Sequence, residues 1–470
     1  MTTAPTGPAR TEPVRLRRDR LTLSLYGYFV VWGWFLYSFN PAVPLLGREL
    51  GISKAQAGLH GTAIAAGAVV AALATPRLLP RFGRRTTLVG AGLLIALGTV
   101  LLVTGPGFGW TLSGVLVMAL GANVAISAGQ AGLVLHHRGT SSAAVTEANG
   151  VGSSVGLLGP LAVGACVAAG WGWRPAVAVT GLLAVATAVV VGFLPRRGVM
   201  AHPADDAAPT SPDRAARAAS EPAAGPVTAA ADGLPAQAGG TPDPGTPAHA
   251  APDRDAARAA QPGAARASWW YLVAVVATLA VENATTFWSA DLITQQTGAP
   301  AGIATAATAG LVAGMSVIRF VVGPLSLRIE PATLLACSFL LAIVGWAVLW
   351  TATVPAVALT GLVIAGFGYG AQYPLSIALL LSTAGGAADS AQSRATFAGG
   401  AAIGVAPFAL GALADAFGAH TAFVLVPVMA LVGAFAAFAG PRVARGRGPA
   451  AGAGAATAPV GVQGQGTHAG

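Results

Sequence analysis

The apolar stretches of this chain fall into two sets of six, separated by 73 residues (195–267) too polar and proline-rich to cross a membrane. Each stretch supplies roughly the 20 mainly apolar residues that a helix needs to span a bilayer. In hydrocarbon every backbone N–H and C=O must be paired, and runs of this length satisfy that as helices. The expected fold class is therefore an all-α polytopic membrane protein with twelve transmembrane helices in two six-helix halves. The expected spans are 21–46, 57–79, 86–105, 110–134, 144–169, 173–194, 269–294, 302–326, 331–352, 355–382, 393–415 and 420–440. An N-terminal tail (1–20), a first half (21–194), a disordered linker (195–267), a second half (268–441) and a disordered tail (442–470) follow from them. The linker is rich in Ala, Pro, Asp and Arg and cannot bury enough apolar surface to offset its chain entropy.

Charge supports the same reading. Charged residues make up 9% of the chain and hydrophobic ones 54%, whereas a soluble domain carries about 25% charge. A net charge of +9 would by itself suggest nucleic acid. Its distribution argues against such a partner: of 26 basic residues, 22 lie in the two tails, the linker and the even-numbered loops or at the span ends beside them. Only Arg48, Lys54 and Arg174 fall on the opposite side, and Arg319 lies within a span. Basic residues near span ends stay cytoplasmic. The expectation is a multi-pass protein of the plasma (inner) membrane with both termini and the linker in the cytoplasm.

Cys166 and Cys337 lie in separate apolar spans and are expected as buried small hydrophobes. His60 is expected as a solvated histidine near a span end, and His136-His137 as facing water. No two His, Cys or carboxylate residues share a span at metal-ligand spacing, and no nucleophile motif occurs. The chain is accordingly expected to have no catalytic site, no metal and no cofactor. The first apolar run is too long for a signal-peptide core and is expected to remain as the first helix.

Several motifs resemble those of the major facilitator superfamily, over both halves. After the second span comes Arg81-Phe82-Gly83-Arg84-Arg85, similar to that family's basic loop between helices 2 and 3. Pro80 stands where the loop's Asp is expected and Pro76 where its Gly is, so the resemblance implies an inside gate held by other means. The counterpart after the eighth span, Gly323-Pro324-Leu325-Ser326-Leu327-Arg328, also lacks the acid. Gly156-x-x-Gly159-Pro160 with Gly164 resembles the fifth-helix motif of antiporters. Glu282 followed by Trp288, Arg319-x-x-x-Gly323 and Gly368-x-Gly370-x-x-x-Pro374 resemble the fucose-permease-like branch, which implies proton-coupled sugar uptake. The resemblance assigns gating to Arg81, Gly83, Arg84 and Arg85; Arg319 is a further gating candidate, with snorkelling to the inner interface or bonding to helix-end carbonyls as the alternative.

Glu282 lies 13 residues past the expected start of its span, about 20 Å along a helix. A charge near the bilayer centre costs about 3 kcal/mol, so such a residue is paired, protonated or faces a cavity. It is the candidate proton-coupling acid. Glu282, Thr285, Thr286 and Ser289 share one helix face by their spacing, flanked by Asn283 and Trp288. Similar stripes run along span 4 (Asn123, Ser127, Gln130), span 10 (Tyr369, Gln372, Tyr373, Ser376) and span 1 (Trp34, Tyr37, Ser38, with Asn40 before Pro41). In the family this chain resembles, helices 1, 4, 7 and 10 line the central cavity. The candidate substrate-binding residues are thus Trp34, Tyr37, Asn40, Asn123, Gln130, Asn283, Trp288, Tyr369, Gln372 and Tyr373.

These observations imply a monomeric secondary transporter whose partners are a small neutral or weakly polar solute, protons and the lipid bilayer. Sugar-like uptake competes with drug or metabolite efflux by proton antiport. A non-transporting sensor on the same architecture is the remaining alternative.

Overall fold

The computed structural model describes residues 16, 18–137, 140–200, 254–326, 328–383 and 388–445. Among them the chain is helical with no strand, and eleven helical segments are long and apolar enough to span a membrane. One of these, Lys54–Thr104, has 51 residues. At 1.5 Å per residue a straight helix of that length would reach about 76 Å, far beyond a bilayer. It folds back instead at Gly83, whose φ of 72° and ψ of 159° break the helix in a region that only glycine enters freely. Spans 2 and 3 are its two arms, and the total is twelve.

Span 1 is Arg20–Phe39. It passes through a 3-10 turn at Asn40–Ala42, where Pro41 removes a backbone donor, into the short helix Val43–Leu50. Span 4 is Phe108–His136, and span 5 runs as Ser141–Gly156 and Leu158–Ala168 with a break at Leu157. Span 6 is Arg174–Gly192. Spans 7 to 10 are Arg254–Thr297, Ala301–Ser326, Pro331–Trp350 and Pro355–Ser382. Span 11 is Ala388–Phe417, and span 12 combines Ala419–Ala422 with Leu425–Arg445.

Within the expected linker 195–267 the described residues include local helix at both ends. Gly198–Met200 forms a 3-10 turn, and helix continues back from span 7 to Arg254. The remainder of the linker and of both tails lies outside the described residues.

Glycine sets how closely the helices approach. The span-5 motif lies along span 1: a Cβ on Gly156 would sit 2.9 Å from the Gly33 carbonyl oxygen, and one on Gly159 2.8 Å from the Ser38 nitrogen. Gly164, one turn further on, meets span 8 of the other half, where its Cβ would stand 2.5 Å from the Gly302 carbonyl oxygen. Small residues permit such backbone contact in lipid, where packing replaces the hydrophobic drive.

Span 1 is anchored at its start. Asp19 caps it by accepting from the Thr22 N–H at 2.9 Å, and Arg18 makes a two-pronged pair with Glu147 of span 5 at 2.6 and 2.9 Å. Partial burial favours the neutral Asp19, but hydrogen bonds from Thr22 and His136 outweigh it and hold its carboxyl down to about 2. His136 and His137 are thus engaged with span 1 (the sequence expectation was water), because the end of span 4 packs on the start of span 1. His60 is also corrected: it is fully buried, with one ring nitrogen 2.8 Å from the Ala57 carbonyl and the other 3.0 Å from the Thr111 hydroxyl. Cys166 is half-buried and Cys337 exposed on the outside of the bundle. Nothing packs over that face of span 9, so the expected burial is not met there.

Candidate functional site: a polar cavity between the halves

A cavity of about 170 Å³ lies between the two halves. Span 1 contributes Trp32, Leu36, Tyr37 and Asn40, and span 4 contributes Asn123. Span 7 brings Glu282, Asn283 and Thr286 from the other side, while small apolar residues of spans 2 and 11 close the walls. A larger gap, about 330 Å³ between spans 7, 11 and 12, is walled by alanine, valine, leucine and methionine alone. It offers no polar group to hold a polar solute, whereas the smaller one does.

The polar groups have a common character. Asn123 donates its amide to the Ala119 carbonyl at 2.8 Å, and Asn283 donates likewise to Leu279 at 2.8 Å. Each bond uses an NH2 and leaves the side-chain oxygen as an acceptor. Asn40 is buried in the 3-10 turn and its side-chain oxygen has no protein partner. A buried polar atom left without a partner is costly, so a ligand donor there would relieve it. None of the ion pairs among the described residues involves Glu282. The charge of Arg319 acts on it without an ion pair between them.

Six residues singled out in the sequence therefore meet at the cavity: Tyr37, Asn40, Asn123, Glu282, Asn283 and Thr286. The others are placed elsewhere. Trp34 turns away and donates its indole N–H to the Ala176 carbonyl of span 6 at 3.0 Å. Trp288 is buried and donates to Pro407 of span 11 at 2.8 Å. Tyr369 shares a 2.9 Å hydrogen bond with Thr285, tying span 10 to span 7. Gln372 points at span 9, where its amide is 3.4 Å from the Ser338 carbonyl. Gln130 and Tyr373 lie outside the cavity wall, half-buried and 40% exposed respectively. Trp32 is the aromatic that sequence reasoning missed. It shares a helix face with Leu36 and Asn40 (i, i+4, i+8), whereas Trp34 is displaced by about 200°.

The gating candidates also separate. Gly83 makes the turn between spans 2 and 3. Arg84 donates to the Val199 carbonyl at 3.0 Å, Arg85 donates to the Gly192 carbonyl, and the Arg81 guanidinium lies 5.3 Å from the Phe82 ring centre. The Arg84 and Arg85 bonds thus go to the end of span 6 and the turn just after it. Arg319 crosses between halves, donating to the Ser153 hydroxyl of span 5 at 3.1 Å.

The strongest junction between halves lies at the opposite, arginine-poor face, and sequence reasoning did not find it. Asp291 of span 7 is nearly buried and pairs with Arg48 at 2.9 Å and Lys54 at 2.8 Å. Asp415, at the end of span 11, accepts the backbone N–H groups of Lys54 and Ala55 at 2.9 and 2.8 Å. A carboxylate from one half thereby caps the positive end of a helix in the other. Thr62 donates to the Gly404 carbonyl at 2.7 Å, three residues before the Pro407 bend. The missing signal was pairing: Arg48, Lys54, Asp291 and Asp415 all fall in or beside the same side's loops, but nothing local joins them.

Two six-helix halves around a polar central cavity, bridged at the arginine-poor face by Asp291 and Asp415, define a membrane transporter fold. The profile of the major facilitator superfamily matches residues 24–240 and 270–464, and the chain belongs to that family, one of transporters and not of enzymes. No curated protein matches it in sequence. Among solved structures, a bacterial homologue of the human lysosomal transporter Spinster, inward-facing and unoccupied, superposes with a TM-score of 0.66 at 15% identity, covering 90% of this chain and 96% of that one. A nucleoside transporter variant gives 0.66 at 11% identity, with 90% and 98% covered. A D-xylose–proton symporter gives 0.65 at 14%, with 91% and 99% covered. At these identities the likeness is one of fold.

Proposed function

We propose that this protein is a proton-coupled secondary transporter that moves a small neutral or weakly polar solute by alternating access, with Glu282 as the coupling acid. The observation that carries the reading is a carboxylate without an ion pair in the central cavity, surrounded by Asn40, Asn123, Asn283 and Tyr37. A carboxylate at that depth exchanges a proton at lower cost than it holds a bare charge. The cavity is smaller than the roughly 300–1,000 Å³ of drug-sized sites, which favours a compact solute. Its side-chain oxygens accept hydrogen bonds, so the solute presents hydroxyl or N–H donors, while Trp32 and Tyr37 offer ring faces. Arginine asymmetry supports placement in the plasma (inner) membrane with both termini in the cytoplasm.

Sugar-like uptake matches the donor-rich solute, and one fold neighbour is a sugar–proton symporter. Efflux of a small amine by proton antiport is the second reading. It is favoured by the aromatic and carboxylate pairing of Trp32, Tyr37 and Glu282, which attracts cations.

Reconstituted liposomes separate these readings. Solute-induced proton movement is measured with sugars and with amines, for the native chain and Glu282→Gln. The expected result is flux with one class, coupled proton movement being lost in the variant. Proton movement that survives Glu282→Gln would remove this residue from coupling. Silence with every solute and gradient would favour the sensor alternative.

A further inference from the structure

Where span 1 begins and span 4 ends, three potential metal ligands converge from segments more than 100 residues apart. Asp19, His136 and His137 each bring one ligand atom, and these atoms lie within 4.8 Å of one another. The Asp19 carboxylate is oriented from behind: one oxygen accepts from both the N–H and the hydroxyl of Thr22, at 2.9 and 2.6 Å. Its other oxygen is 2.7 Å from Nε2 of His136. The two imidazoles stand edge to face with ring centres 4.7 Å apart, and Nε2 of His137 rests 2.7 Å from the Thr22 hydroxyl. Asp19 and His136 side chains are 46% and 31% exposed, so an ion has a path from solvent.

We infer that Asp19, His136 and His137 form a binding site for a divalent first-row metal ion of the Zn2+ type. The donor set decides the class: two imidazoles and one carboxylate suit zinc and its neighbours, whereas magnesium and calcium prefer oxygen ligands throughout. Tetrahedral coordination with bonds of about 2.0–2.1 Å sets its ligands roughly 3.3 Å apart. Closing from within 4.8 Å to that spacing would take side-chain rotation, chiefly at the exposed His136. The ion takes the place of the proton shared between Asp19 and His136, and a water completes the fourth position. Thr22 acts behind the ligands, holding the carboxylate as outer-shell partners do. Metal binding would clasp the beginning of span 1 to the end of span 4, the two helices that bring Asn40 and Asn123 to the cavity. Its ligands sit on different segments, so spacing along either one conceals the site.

The test is zinc binding to the full-length protein, purified with a histidine-free tag and stripped with chelator. Titration calorimetry and competition with a fluorescent chelator are expected to show one equivalent bound with micromolar or tighter affinity. Asp19→Asn, His136→Gln and His137→Gln should each weaken binding by at least about tenfold. Asparagine is as good a helix cap as aspartate, so Asp19→Asn removes the ligand charge and keeps the cap. Arg18→Gln, which breaks only the neighbouring pair with Glu147, should leave affinity unchanged. Absence of saturable binding overturns the proposal, and so does one-equivalent binding that all three ligand variants retain.

Discussion

At the arginine-poor face the halves meet through Asp291 on Arg48 and Lys54, Asp415 on the start of span 2, and backbone contact between Gly164 and Gly302. At the arginine-rich face, among the described residues, Arg319 of the second half reaches the first, bonding to Ser153 and interacting with Tyr37. The first junction combines charge, helix capping and steric fit, so several interactions must break together. The second depends on one exposed side chain and is easily released. A carrier that alternates needs both ends to open in turn, and here the closed end is the one built from mutually dependent contacts. Charge abundance by itself does not join the halves: Arg84 and Arg85 are used on the Val199 and Gly192 carbonyls rather than on the second half.

The contrast should break most sharply at Gly164. A Cβ there meets the Gly302 carbonyl oxygen at 2.5 Å and Ala306 at 2.8 Å, and backbone atoms cannot rotate aside. Gly164→Val is expected to keep the arginine-poor face open and to lower transport about 100-fold, the equivalent of roughly 3 kcal/mol of overpacking. Labelling of a single cysteine introduced at that mouth reads the opening; unchanged labelling would show that the glycine contact does not control closure.

Asp291→Asn should have a smaller effect. Removing a buried partner can cost 3–5 kcal/mol, but the exposure of Arg48 and Lys54 lowers this to roughly 1–2. The expected result is about a tenfold shift toward the same open form. Glu49→Gln sharpens the comparison, since Glu49 pairs with Arg174 at 2.8 Å and accepts from Trp173 at 2.7 Å inside the first half. It should leave labelling unchanged although it breaks an ion pair on the same face.

Arg319→Met is expected to give the smallest change. One hydrogen bond to an exposed guanidinium contributes about 1 kcal/mol, so accessibility at the arginine-rich mouth should rise no more than about fivefold. A change as large as that of Gly164→Val would mean that Arg319 acts on Glu282 as well as on Ser153.

Hydropathy and arginine placement carried the architecture, because in lipid apolar length alone decides which segments become helices. The twelve spans, the two halves and the polar stripe around Glu282 were all legible at that level. The particular wall of the cavity was not. A stripe with helical period says that residues share a face, but the rotation of that face is set by neighbouring helices. Packing turned Trp32 inward and Trp34 toward Ala176, and it turned Gln372 toward span 9. The same limit hid the Asp291 junction, whose partners Arg48 and Lys54 lie 243 and 237 residues away along the chain. It also hid the meeting of Asp19 with His136 and His137. The sequence by itself determined what crosses the membrane and how many times. Only the tertiary structure decided which polar groups meet, since pairing across spans depends on helix rotation and depth that no local pattern encodes.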